Sequence, residues 1–313
     1  MKLTLLIDNK PTVFFSANLR YSIEQLAHEF NCRIPVMVIE RPLSIEFKLD
    51  GQRIFTGMID RATNTTTSSE HSMAISGRSK SANMIDSRIT MDAQYGQTID
   101  RLLHAIAKEF GLGVHCSIDK SALVPISEFQ INGESPVDNF AQLIKEQGFI
   151  LVERDGVLTI ENPAQATLDG VALEVGKNIE ELVIDKNFTE QFYHIEVQGQ
   201  WDDANAVVTY APANTQRRTV FISDQLQTAE ACQSRAEYER DLAIAKGLSA
   251  STSIGDVFVE LTGQAINRTI RVIDKTQDFS EMLLVKTLDL SVTETSAETK
   301  VEFFRPFKEK ANV

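Results

Sequence analysis

From Ser44 to Leu49 apolar and polar residues alternate, with Ile45, Phe47 and Leu49 set against Ser44, Glu46 and Lys48. That period of two belongs to a strand with one buried face. Asp50-Gly51 follows, a dipeptide that suits a tight hairpin because both central residues of the turn need positive φ. Further strands are predicted at 3–7 and 12–16 around the turn-rich Asp8-Asn9-Lys10-Pro11, and at 53–60 and 72–76. Between Tyr21 and Phe30 the spacing turns helical. Ser22 and Gln25 read as a capping box, and Ile23, Leu26, Ala27 and Phe30 share one face. The polar run 63–70 predicts a loop or hairpin tip, and 78–87 a brief helical turn anchored by Met84 and Ile85.

A different rhythm starts near residue 89. Behind Thr98 as N-cap, Ile99, Leu102, Leu103, Ile106, Ala107 and Phe110 form the clearest amphipathic helix of the chain, stopped at Gly111. A second unit follows the same logic. Phe129–Ile131 is extended, Ser135 caps, and Pro136 takes the first helical position. Val137, Phe140, Ala141 and Ile144 make the buried face, and Gly148 ends the helix. A hairpin then turns at Arg154-Asp155-Gly156. After a loop-rich connector at 163–177, strands are predicted at 179–184 and 192–198, a helix at 229–246, and strands at 250–254, 257–261, 268–274, 282–293 and 297–304. The expected fold class is α+β and multidomain. Residues 1–88 form a first β domain, 89–177 an α/β insert, 178–201 with 250–313 a second β domain, and 202–249 a helical excursion.

Composition narrows the function. Of 313 residues 42% are hydrophobic and 24% charged, an ordinary globular balance, and the formal net charge is −13. Such a chain is poorly suited to grip nucleic acid through its phosphates. No apolar run approaches the ~20 residues of a membrane helix, and the N-terminal apolar stretch is short for a signal peptide, so membrane insertion is not expected. Cys32, Cys116 and Cys232 lie far apart, which argues against a disulfide framework.

Chemical motifs are scarce. Gly176-Lys177-Asn178 lacks the rest of a phosphate-binding loop, and neither a G-x-S-x-G elbow nor H-E-x-x-H nor C-x-x-C occurs. His28 and Cys32 are i, i+4 but have no second pair, and a metal needs three or four ligands. Glu134 is the one tempting acid, yet its position before a helix accounts for it. No catalytic residue, cofactor or metal is assigned.

One ordered set of residues carries more. Gly51, Phe55, Gly57, Ile59 and Asp60, then Gly77, Arg78, Ser79, Lys80, Ala82, Ile85 and Asp86, read G…F-T-G-x-I-D and S-G-R-S-K-x-A-x-x-I-D. Gly133-Glu134-Ser135-Pro136 with Gly148 is a second match, and Tyr193, Val197, Gly199 and Gln200 a third. In these stretches the chain resembles the Mu-like phage tail protein family, the baseplate hubs of contractile tails, related in fold to the T-even hub and to the hub part of type VI secretion spikes. The resemblance implies two similar β-barrel-like domains in a ring-shaped homotrimer. That ring would meet the sixfold tail tube and other baseplate proteins on one side and a trimeric spike on the other. DNA would pass through without specific binding, along a wall expected to be richer in Asp and Glu than in Lys and Arg. It implies assembly in the bacterial cytoplasm into a virion, a structural role and no enzyme activity. A cell-wall-binding or cell-wall-degrading tail protein acting through 89–170 is the other reading. A secretion-spike hub is a third, disfavoured by the short stretch after Phe307.

Overall fold

The alternating segments become strands because each turns one row of apolar side chains inward. The computed structural model describes residues 2–68, 71–164, 166–201, 203–223 and 226–306. The chain opens with β1 (Leu3–Ile7), β2 (Lys10–Thr12), β3 (Ser16–Ser22), β4 (Glu29–Ile34), β5 (Ser44–Leu49), β6 (Gln52–Thr66) and β7 (His71–Ser79). Next come α1 (Ala82–Asp86), β8 (Ile89–Gln97), α2 (Ile99–Glu109), β9 (Gly113–Cys116), β10 (Ile126–Glu134), α3 (Pro136–Glu146), β11 (Ile150–Arg154) and β12 (Val157–Glu161). Then follow β13 (Ala166–Glu174), β14 (Leu182–Lys186), β15 (His194–Gln198), β16 (Asn205–Thr209), β17 (Arg218–Ile222) and α4 (Ala229–Lys246). The last strands are β18 (Leu248–Ile254), β19 (Arg268–Asp274), β20 (Phe279–Thr293) and β21 (Ala297–Phe304). The described residues are thus mostly antiparallel β, with four α-helices.

Thirteen strands join in one sheet. Its middle runs β14-β18-β21-β20-β3-β4-β7-β6, antiparallel at every step. Two four-stranded halves meet where β20 pairs β3, Leu290 opposite Leu19 and Asp289 opposite Arg20. The halves repeat one topology. β6 and β20 are each 15 residues long. Each pairs through its first half with one strand, β5 or β19, and returns through a hairpin to β7 or β21. Each also breaks register at the corresponding place, Asp60 in β6 and Lys286 in β20 being the residues passed over. A bulge of this kind bends the strand, so its two halves can face different neighbours. This repeat was not legible in the sequence.

One apolar core runs through both halves, from Leu5, Phe30, Phe47 and Phe55 to Leu288, Val301 and Phe303. Phe30, Phe47 and Phe55 meet at ring-centroid distances of 5.6–6.1 Å in tilted or edge-on pairs, the geometry that the ring quadrupole favours. The insert has its own core, where the faces of α2 and α3 read from the sequence pack with Met84, Phe129, Ile131, Leu158 and Ile160. A third, smaller core lies between α4 and the sheet β16-β15-β17, built on Ile195, Val197, Val208, Cys232 and Ala236.

Several expectations need correction. Residues 22–30 hold no helix. They join β3 to β4, because pairing both strands into the sheet buries Tyr21 and Phe30 more completely than one short helical face would. The strand expected at 12–16 is split between the end of β2 and the start of β3. Val259–Leu261 is a 3-10 turn, not a strand. The connector 163–177 contains β13, which pairs in parallel with β19 and so joins the large sheet rather than the insert. The excursion 202–249 is not purely helical. β16 and β17 flank β15, which places 194–198 with this third unit instead of the second β domain. Residues 69–70 and 307–313, which fall in the predicted hairpin tip and second β domain, lie outside the described residues.

Candidate functional site

The first motif sits where β6 and β7 cross the Phe30 and Phe55 rings. Gly57 and Gly77 lie on neighbouring strands, and a Cβ on either would stand 2.2 Å from the Arg78 carbonyl oxygen or 2.0 Å from that of Met58. Both positions therefore exclude a side chain. Gly51 turns the β5–β6 hairpin at φ +87°. Beyond the bulge, Arg78 donates from Nε to Asp60 at 2.9 Å and from its terminal nitrogens to both Asp86 oxygens, 3.2 and 2.5 Å. Those hydrogen bonds hold the Asp86 carboxyl below the usual range. Three motif residues thus tie β6, β7 and α1 together.

Ser79 and Lys80 face the insert. Ser79 Oγ donates to Glu153 Oε2 at 2.6 Å, and the Ser81 hydroxyl and amide donate to the same oxygen. The Gly156 amide donates to Oε1 at 3.1 Å. Glu153 is 1% exposed, so its carboxylate replaces lost water with four protein donors. His28, on the loop between β3 and β4, closes the joint. Its amide donates to Ser79 Oγ at 2.9 Å, and its Nε2 donates to the Glu153 carbonyl oxygen at 2.9 Å. Nδ1 has no hydrogen-bond partner. Burial lowers the His28 pKa against the pull of Glu153, so the ring is held neutral. Lys80 is exposed, with its stem over Gly156. Beside this joint Arg53 Nε donates to Asp155 at 2.6 Å, and Thr56 donates to the other Asp155 oxygen at 3.2 Å.

A second buried network lies on the far side of the same hairpin. Arg154 donates to both Glu161 oxygens at 3.1 and 2.6 Å and to the Ile266 carbonyl at 2.7 Å. Asn267 and Arg268 also donate to Glu161. Burial alone would raise the Glu161 carboxyl, but the bonds from Arg154, with Asn267 and Arg268, outweigh it and hold it low. The β11–β12 hairpin is therefore fastened to the first half of the sheet through Glu153 and to the second through Arg154 and Glu161. Sequence reasoning singled out Ser79 but missed Glu153, Arg154, Glu161 and Ser81. Its only available signal was charge at the ends of two short strands, which reads as an exposed hairpin.

The remaining motif residues do not join this joint. Gly133 and Glu134 end β10, where the exposed Glu134 accepts from Asn139 at 3.0 Å. Ser135 is buried, and its hydroxyl donates to the Ile85 carbonyl at 3.0 Å, linking α3 to α1. Gly148 follows α3 at the predicted stop. Gly199 and Gln200 leave β15, their amides bonded to Ala204 and Leu226 carbonyls at 2.6 and 2.7 Å. No group of three or more His, Cys, Asp or Glu suited to a metal occurs among the described residues. No helix among them is long and apolar enough to cross a membrane.

The eight-stranded sheet has a core face and a polar face. On the polar face Arg20, Arg33, Arg61, Arg78 and Lys300 match Glu29, Asp185, Asp289, Glu298 and Glu302 one for one, by the alternation of the paired strands. The excess of acid suggested by net charge is absent from these positions. Among the described residues, β14 has no outer neighbour at one end of the eight strands, and the segment of β6 past Asp60 has none at the other, because β5 covers only Gln52–Met58.

No protein-family profile matches the chain. It is 24% identical over 229 residues to the baseplate hub protein gp44 of Escherichia phage Mu, covering 66% of this chain and 59% of that protein's length. In fold it is similar to the 43 kDa tail protein of prophage MuSo2 from Shewanella oneidensis, with TM-score 0.85, 21% identity, and 97% and 98% of the two chains covered. A tail protein from Neisseria meningitidis gives TM-score 0.81 at 16% identity over 97% and 96%. A type VI secretion component of E. coli, itself described as similar to the T4 tail proteins gp27 and gp5, gives 0.69 at 11% identity over 99% and 78%. The chain is thus similar in sequence to a phage Mu baseplate hub protein, and in fold to Mu-like prophage tail proteins and to a type VI secretion component.

Proposed function

We propose that the chain is a structural protein of a contractile-tail baseplate. It is a hub that assembles as a ring of three copies, joins the tail tube to a trimeric spike and leaves a central passage for DNA. The observation that carries this reading is the internal repeat, two topologically equivalent four-stranded halves fused into one sheet. A chain with two equivalent faces needs only three copies to present six, which reconciles a threefold spike with a sixfold tube under closed cyclic symmetry. The motif residues serve this role structurally. They close the β6–β7 crossing and seat the insert, so the insert and the α4 unit stand on a rigid sheet. Catalysis and a bound cofactor have no part in the proposal.

The test is the mass of the purified chain by light scattering at tens of micromolar. A species of three chain masses is expected, and a monomer would refute the ring. Duplex DNA should show no measurable binding at ~0.15 M salt, where charges are screened beyond about 8 Å. A polar face with balanced charge offers no net attraction to phosphates. Clearing of a cell-wall suspension by the protein would favour the cell-wall reading instead.

A further inference from the structure

One dipeptide of the insert lacks the protection that its neighbours have. Asn132-Gly133 is the sole Asn-Gly pair in the sequence. It lies near the end of β10, and both residues are exposed. β10 pairs β8 with Asn132 opposite Thr90 and Glu134 opposite Ile89, so the ladder passes over Gly133. A bulge of this kind leaves its extra residue outside the regular pairing. Gly133 takes φ +74°, and a Cβ built there would meet nothing within 4 Å. The space beside the Gly133 amide is therefore open, and glycine leaves the main chain free to turn there. Among the described residues the Asn132 side-chain amide makes no hydrogen bond. Every other asparagine is followed by a residue with a side chain, which crowds the next main-chain nitrogen. Asn178 and Asn267 are held by hydrogen bonds of their side chains as well. In two of the Asp-Gly pairs, Asp50 and Asp155 accept hydrogen bonds, and an ionised carboxylate resists attack by a nitrogen.

We propose that Asn132-Gly133 is a site of spontaneous modification, where the asparagine loses ammonia and the main chain is rerouted through its side chain. The Gly133 nitrogen gives its proton to solvent and attacks the side-chain carbonyl carbon of Asn132. A carbon–nitrogen bond forms there, and the bond from that carbon to the side-chain nitrogen breaks. The departing nitrogen takes a proton and leaves as ammonia, and a five-membered imide remains. Water opens the imide at either carbonyl, adding hydroxyl to the carbon and a proton to the Gly133 nitrogen. One opening gives an aspartyl residue. The other gives an isoaspartyl residue, whose side-chain methylene now lies in the main chain. The reaction needs only water, which is why exposed asparagine is thermolabile. Its effect follows from where β10 is anchored. Ile131 is fully buried in the insert core, and Ser135, 2% exposed, holds the Ile85 carbonyl at 3.0 Å. The added methylene has to be absorbed between these two anchors, which loosens the tie between α3 and α1. The isoaspartyl product is the class of substrate consumed by methyl transfer to its free carboxylate.

The test ages the intact protein in mildly alkaline buffer. Each asparagine is read by peptide mass and by labelling with a protein L-isoaspartyl methyltransferase. Conversion at Asn132 should lead that at every other asparagine. It should quicken as pH rises, because the attacking nitrogen must first lose its proton. It should run no more than about tenfold slower than in the urea-unfolded chain, since opening one exposed bulge costs little. Asn132→Ser should abolish the leading label. Aged protein should lose hydrogen-exchange protection at 82–86 and 131–135. Fresh Asn132→Asp, which has the acid without the added methylene, should keep it. A folded chain that converts more than about tenfold slower than the unfolded one, or first at another asparagine, overturns the site. Conversion that leaves protection at 82–86 unchanged overturns its effect on the insert.

Discussion

Replacing Glu153 tests whether the motif serine is a docking contact. Glu153 accepts from Ser79 Oγ, from the Ser81 hydroxyl and amide, and from the Gly156 amide, at 1% exposure. Glu153→Ala strands all four donors in a site without room for bulk water. Each unsatisfied buried group costs about 1–3 kcal/mol, and breaking a buried charged network about 3–5 kcal/mol in total. The second range is the better guide, since the two hydroxyls can rotate to other acceptors; Ser81 already reaches the Leu26 carbonyl at 3.1 Å. Glu153→Gln keeps one acceptor oxygen but turns an NH2 toward one set of donors, for about 1–3 kcal/mol. At about 2 °C per kcal/mol for a chain of this size, Glu153→Ala should lower the melting temperature by about 6–10 °C, and Glu153→Gln by about 2–6 °C. Circular dichroism melts give the total, and hydrogen exchange gives the location. Amides of 79–81 and 150–161 should lose protection while β18 and β21 keep theirs. A drop below about 2 °C, or unchanged exchange at 79–81, would refute the argument that this carboxylate holds the insert to the sheet.

Gly77→Ala should be more harmful than its one methyl group suggests, because the clash is with backbone; a loss of at least about 1–3 kcal/mol is expected in denaturant melts, and native stability would refute it. Arg78→Ala should cost only about 0.5–1 kcal/mol, because the pairs with Asp60 and Asp86 are largely exposed and screened by salt. Acid should weaken the fold in two stages, read as a denaturation midpoint against pH. His28 has a depressed folded pKa, so the unfolded chain binds its proton first and stability falls as pH drops below about 6.5; His28→Gln should flatten that stage. Glu161 is also depressed, so its contribution is full above about pH 4.5 and is lost as pH falls through its lower folded value; Glu161→Gln should remove that dependence.

What the sequence made legible follows distance along the chain. The faces of α2 and α3, the β5–β6 turn at Asp50-Gly51 and the strand predicted at 282–293 are set by neighbours within a few residues, and each stands where the pattern placed it. Where a local signal met a long-range partner, the partner prevailed. Ser22 and Gln25 spell a helix start, but the strand partners Thr287–Thr293 on one side and Met73–Arg78 on the other hold 16–22 and 29–34 extended and leave only a short turn between them. β13 escaped notice because its partner, β19, lies about a hundred residues on.

The motif residues divide in the same way. Gly57, Gly77, Arg78 and Ser79 could be singled out as an ordered set, yet what they do depends on Met58, Asp86, His28 and Glu153, which only folding brings near. The sequence by itself determined the local elements, the ordinary globular balance of apolar and charged residues, and the resemblance to tail proteins. The tertiary structure alone decided that the two β regions are one repeat in one sheet with two bare ends. Strand pairing joins backbones, and backbones leave no mark on which distant side chains must alternate with which. Only the completed ladders, with their matching bulges at Asp60 and Lys286, show that one half repeats the other.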